Sequence, residues 1–147
     1  MTSASLENLA RTGALKKEAP VQSELEGLIG SARVRLKDAK NEDLSLESRF
    51  DLAYNAAHSI CLAALRRQGY RPDKKRYVVF QTIPETVGLG PEVWRVLDKA
   101  HGMRNDSEYE GRMEVDENFL GELLKATDKV VGAVLEMFKS RVVKDAK

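Results

Sequence analysis

The sequence predicts an all-α fold, a compact up-and-down bundle of four to five helices, and three observations carry that expectation. Apolar residues recur at helical spacing along most of the chain, capping and breaking residues fall where those runs begin and end, and no alternating pattern is long enough to read as a strand. With 147 residues, 42% hydrophobic and 32% charged, the chain suits one globular domain able to bury a core.

The elements follow in order. Leu6 to Leu15 reads as a short amphipathic arm, and Lys16-Lys17-Glu18-Ala19-Pro20 as the entry to the main domain. Residues 1–20 are therefore expected as an N-terminal arm, 21–140 as the helical bundle and 141–147 as a basic tail. Ser23 followed three residues later by Glu26 has the form of a capping box, and Leu25, Leu28, Ile29, Ala32, Leu36 and Ala39 keep helical spacing behind it. A second helix starts near Ser45 and runs through Phe50, Ala53, Ala57, Ile60 and Ala64 to Gly69, a residue suited to a helix C-cap. From Leu52 to Leu65 this helix carries no charge, which implies cover on several sides, either deep in a bundle or between two subunits. A homodimer is the expectation drawn from it.

A shorter helix around Tyr77 to Thr86 contains Pro84, which should kink or end it, and Tyr77-Val78-Val79-Phe80 is the one place a strand fits. After the turn Gly88-Leu89-Gly90, Pro91 opens another helix. Asp116 caps the last, with Val115 and Leu120 placed for a hydrophobic staple, and apolar residues hold the helical period from Phe119 to Phe138.

Composition removes several function classes. Cys61 is the single cysteine, so a disulfide framework or a cysteine-built metal site within one chain is excluded. The uncharged run is too short to span a bilayer and the N-terminus lacks a signal-peptide core, so a soluble, cytoplasmic protein is expected. Lysine and arginine number 24 against 23 acidic residues, so contact with a polyanion requires a local patch. No glycine-rich phosphate loop, no pair of histidines four apart and no Cys-x-x-Cys occurs, and neither a cofactor nor a metal is expected.

Two stretches hold candidate chemistry. The segment from Arg66 to Arg76 contains six cations and one acid, and Arg71, Lys74, Lys75 and Arg76 are its candidates for phosphate contact, against the plain alternative of a solvated loop. The second is Arg104-Asn105-Asp106-Ser107-Glu108-Tyr109-Glu110. Helical spacing puts His101, Arg104, Asn105 and Glu108 on one face, which suits a phosphate, while an Arg104–Glu108 ion pair is the simpler reading of the same residues. His58 reads as a core histidine and Trp94 as a core residue.

The order of helices, the alanine-rich Tyr54-Asn55-Ala56-Ala57-His58, the turn Gly88-Leu89-Gly90-Pro91-Glu92 and the Arg-Asn-x-Ser-Glu-Tyr-Glu sequence resemble the HEPN superfamily over roughly Ser23 to Phe138. The resemblance implies a helical bundle that dimerises, often a metal-independent ribonuclease of toxin and antiviral systems or a partner of a small nucleotidyltransferase. In active members an arginine and a polar residue are followed four to six residues on by a histidine. Arg104 and Asn105 match the first half, whereas Tyr109, Glu110 and Gly111 stand where that histidine would fall. The function expected is a binding or regulatory module of a toxin–antitoxin or defence-type system that takes RNA or a nucleotide phosphate near Arg104. The alternatives are an endoribonuclease in which His101, Asn105, Glu108 or Tyr109 assists Arg104, and a purely structural interaction protein. The resemblance also makes Tyr109 a candidate for nucleotidylation.

Overall fold

The fold was obtained as a computed structural model that describes residues 2–74, 77–110 and 115–145, with side chains for residues 5–74, 77–105 and 115–139. Helix α1 spans Thr2–Arg11, strand β1 Leu15–Lys17, α2 Gln22–Ala39, α3 Leu46–Arg67, β2 Tyr70–Pro72, α4 Val78–Gln81, α5 Ile83–Thr86, α6 Pro91–Glu110 and α7 Glu117–Asp145. The expected all-α class is the one the chain adopts, with α2, α3, α6 and α7 as its long helices.

The uncharged run determines the layout. Ala53, Tyr54, Ala56, Ala57, Ile60, Cys61, Ala63, Ala64 and Leu65 are all buried, so α3 is covered nearly all round, and that cover comes from the same chain. α2 lies along α3, α7 packs on another side, and α4 and α6 close the remainder. The alanines on α3 meet Ala32 and Ala39 of α2 in one core cluster, because side chains this short let two backbones approach without a void. Leu120, Leu123, Val130 and Val134 of α7 complete that core. Of the two sources of cover the sequence leaves open, the structure supplies the one deep in a bundle.

Local signals place most boundaries. Ser45 Oγ accepts the Ser48 backbone N–H at 3.1 Å, Asp116 Oδ1 accepts that of Asn118 at 2.8 Å, and Pro91 is the first residue of α6. Gly69 follows α3 with φ +90°, a conformation that strains any residue with a Cβ. The expected break near Pro84 falls at Thr82, where α4 ends and α5 begins. One expectation is corrected. α2 starts at Gln22 behind Val21 and has no side-chain cap, so the capping box at Ser23 and Glu26 does not form. The segment from Tyr77 is helical as expected rather than the alternative strand: Val78, Val79 and Phe80 form one helical turn with all three side chains buried. At the other end α7 continues to Asp145, through most of the segment read as a tail.

Residues 1–20, read as an arm, contribute Leu6 and Leu15 to the common core. β1 and β2 form a two-stranded antiparallel ribbon in which Leu15 pairs with Pro72, Lys16 with Arg71 and Lys17 with Tyr70. Arg66 fastens this ribbon. Its fully buried guanidinium donates to the Glu24 carboxylate at 2.9 Å and to the carbonyls of Glu18 at 2.8 Å, Ala19 at 2.8 Å and Tyr70 at 3.2 Å. The planar five-donor fork of arginine satisfies these acceptors together, which makes burying the charge tolerable.

Candidate functional site

α6 is amphipathic in the sense its sequence demands. Val93, Leu97 and Ala100 point into the core, which leaves Asp98, His101, Arg104 and Asn105 on the side facing α3 and α4 or solvent. The face read from spacing is real for His101 and Asn105, whose Nε2 and Nδ2 lie 3.1 Å apart. The Glu108 and Tyr109 side chains lie outside the described residues, so the Arg104–Glu108 pair and the roles given to Tyr109 fall outside them as well.

Arg104 is engaged with a residue that spacing along α6 cannot show. Its Nη1 donates to Asp51 Oδ1 of α3 at 3.2 Å, and its guanidinium carbon stands 5.0 Å from the centre of the Tyr54 ring. The Arg104 side chain is 26% exposed and that of Asp51 54%, so the pair sits at the surface, where such contacts are weak and exchangeable. Tyr54 itself is 2% exposed and held by Phe50, whose ring centre is 6.3 Å away, and by Phe80 at 5.7 Å. The cation therefore lies over a rigid aromatic plate.

The same tyrosine reaches His101. Tyr54 Oη lies 3.1 Å from Nδ1, so both ring nitrogens of His101 have polar partners, a hydroxyl on one side and a carboxamide on the other. Tyr77 flanks the imidazole at 5.1 Å between ring centres and Phe80 at 6.3 Å. Tyr77 bonds to Asp98, and burial, reinforced by that carboxylate, raises its phenol above the ordinary value. The site thus joins a planar cation, an imidazole, an amide and two phenols, with Asp51 as an exchangeable counter-charge among the described residues.

His58 lies apart from this group, edge-on to Phe80 at 6.0 Å. Among the described residues no three histidine, cysteine or carboxylate side chains converge as a metal site would require. Of the basic segment, Arg66 is buried in the ribbon clasp, and Arg71 donates to Glu18 at 3.0 Å and to Glu24 at 2.6 Å. Lys74 is exposed, while Lys75 and Arg76 lie outside the described residues. Cys61 is buried, and its thiol is pushed up by desolvation and correspondingly unreactive.

Sequence reasoning missed Asp51, Tyr54 and Tyr77. The first two carry a signal in retrospect: Asp51, Tyr54, Asn55 and His58 recur at i, i+3, i+4 and i+7, the spacing of one polar stripe that enters the run from Leu52 to Leu65, which is without charge. No family model, no characterised protein and no solved structure matches this chain. Among the described residues no helix is long and apolar enough to cross a membrane.

Proposed function

We propose that this chain is a HEPN-like binding and regulatory module of a toxin–antitoxin or defence-type system, and that Arg104 is its seat for an RNA or nucleotide phosphate. One observation carries the reading: the Arg104 guanidinium is mounted on the buried Tyr54 ring, yet its carboxylate partner Asp51 is exposed. A phosphate that displaces Asp51 exchanges a weak surface pair for a bidentate, charge-assisted contact, while the aromatic plate keeps the cation oriented. The test is binding of single-stranded RNA by fluorescence anisotropy in the presence of a chelator. Wild type is expected to bind with affinity that falls as salt rises, and Arg104→Ala to lose that binding. Equal affinity in the two proteins removes Arg104 from the site and leaves a structural interaction protein.

The endoribonuclease reading has its own support, because His101 rests on the same tyrosine as Arg104. In that reaction the 2′-oxygen bonds to phosphorus as the P–O5′ bond breaks. His101 takes the 2′-hydroxyl proton, Arg104 holds the phosphoryl oxygens, and the departing O5′ takes a proton from water. RNA cleaved in chelator by wild type, and left intact by both Arg104→Ala and His101→Gln, would favour it. A second copy of the chain enters through the uncharged run and the resemblance, a nucleotidyltransferase-type partner through the resemblance alone, and light scattering of the isolated protein tests the former.

A further inference from the structure

We infer that the Arg104 seat is gated by pH through His101, whose protonation places a second cation beside the guanidinium and tightens the hold on a phosphodiester. The inference rests on the reading of Arg104 as a phosphate seat and deepens it by naming its regulation. His101 and Arg104 are three residues apart on α6, neighbours on one helix face, and Tyr54 touches both, with its hydroxyl on the imidazole and its ring under the guanidinium. A charge gained at His101 is therefore felt at the seat.

The two partners described for His101 accept that charge without losing a hydrogen bond. In the neutral ring one nitrogen donates and the other accepts; in the imidazolium both donate. The Tyr54 hydroxyl can turn to accept from Nδ1–H, and the Asn105 carboxamide can turn its oxygen toward Nε2–H, because each group offers a donor and an acceptor at 3.1 Å. Among the described residues the titratable groups that touch the ring are Tyr54 of α3 and Tyr77 ahead of α4; Asp98 of α6 bonds Tyr77, Asp51 of α3 pairs with Arg104 of α6, and His58 of α3 meets Phe80, the ring that also flanks His101. Arg104, on the same helix face, opposes a second positive charge at the ring. A bound phosphodiester offsets that opposition, so anion and proton should bind cooperatively.

Histidine is the side chain whose ordinary titration lies between about pH 5 and 8, and a phosphodiester keeps its charge throughout. The chain has two histidines, so the assignment is clean. Oligouridylate affinity should be measured at about pH 5.5 and about pH 8 at fixed ionic strength, with a gain at the lower pH of roughly threefold to tenfold, the size of one added charge-assisted contact. His101→Gln should bind equally at both pH values, whereas His58→Gln should keep the wild-type dependence. Tyr54→Phe, which retains the plate but not the hydroxyl, should still bind at the higher pH with a displaced midpoint. The proton resonances of His101 in unaltered protein should show its titration moving to higher pH when the oligonucleotide is added, which needs no variant to fold. Affinity that depends on Arg104 but not on pH, or a pH dependence that survives His101→Gln, would overturn the gate and leave the seat standing. Absence of binding at either pH would remove the seat, and the gate with it.

Discussion

At the scale of single residues, Arg104 and Asp51 decide between scaffold and seat because their contact is strong enough to orient a side chain and too exposed to stabilise the fold. Arg104→Ala is expected to cost less than about 1 kcal/mol for the ion pair and a comparable amount for the ring contact, read as a small shift in the urea midpoint. Asp51→Asn separates the roles further. It removes the carboxylate that competes for the guanidinium, so RNA affinity should rise several-fold with little change in stability; a fall in affinity would show Asp51 to be part of the site rather than its counter-charge. His101, Arg104 and Asn105 were legible because they lie on one helix, where spacing fixes a shared face. Tyr54 and Asp51 were not, because their contacts cross 47 and 53 residues of sequence, a distance no local periodicity encodes.

At the scale of elements, the clasp around Arg66 shows how a charge cluster misleads. A run of cations ordinarily marks a solvated face, yet Arg66 is buried and Arg71 is drawn onto the same glutamate, 47 residues earlier in the chain. The two short strands carry no legible pattern either, since three residues each, rich in charge, show no alternation. α7 and the caps at Ser45 and Asp116 were legible for the opposite reason, their signals being local and long or chemically specific. Glu24 connects the clasp to pH. Its hydrogen bond from Arg71, with that from Arg66, outweighs desolvation and holds its carboxyl below the ordinary value of 4.5. A depressed carboxyl contributes stability above the unfolded-state value, and that contribution is lost as pH falls through the folded one. Acid unfolding below about pH 4.5 should therefore be shallower in Glu24→Gln, while Arg66→Ala, which strips three carbonyls of a donor and leaves Glu24 to Arg71 alone, should cost roughly 3–5 kcal/mol at neutral pH. Identical acid limbs in wild type and Glu24→Gln would place the pH sensitivity elsewhere.

At the scale of the whole molecule, one chain supplies the cover that the alanine-rich core face of its most apolar helix needs, so burial of that face does not require a second copy. The same economy extends to the N-terminus. Leu6 is fully buried and Leu15 nearly so, α1 rests against α5, and β1 is the only strand that pairs with β2 among the described residues. These contacts make residues 2–17 part of the folding unit rather than an appendage, and burial of the two leucines alone should be worth roughly 3–6 kcal/mol, taking about 1.5–3 kcal/mol for each. Deleting residues 2–17 should lower the urea midpoint sharply and free the Arg66 clasp to exchange its amides with solvent. Two substitutions locate the cause. Leu6→Ala should cost about 2–5 kcal/mol through the cavity it leaves, whereas Lys17→Ala, which breaks the exposed 2.8 Å pair with Glu7, should cost no more than about 1 kcal/mol. A truncated chain with an unchanged midpoint would mean that α1 and β1 rest on a core complete without them, and the ribbon would then have to be kept for what it binds rather than for what it holds.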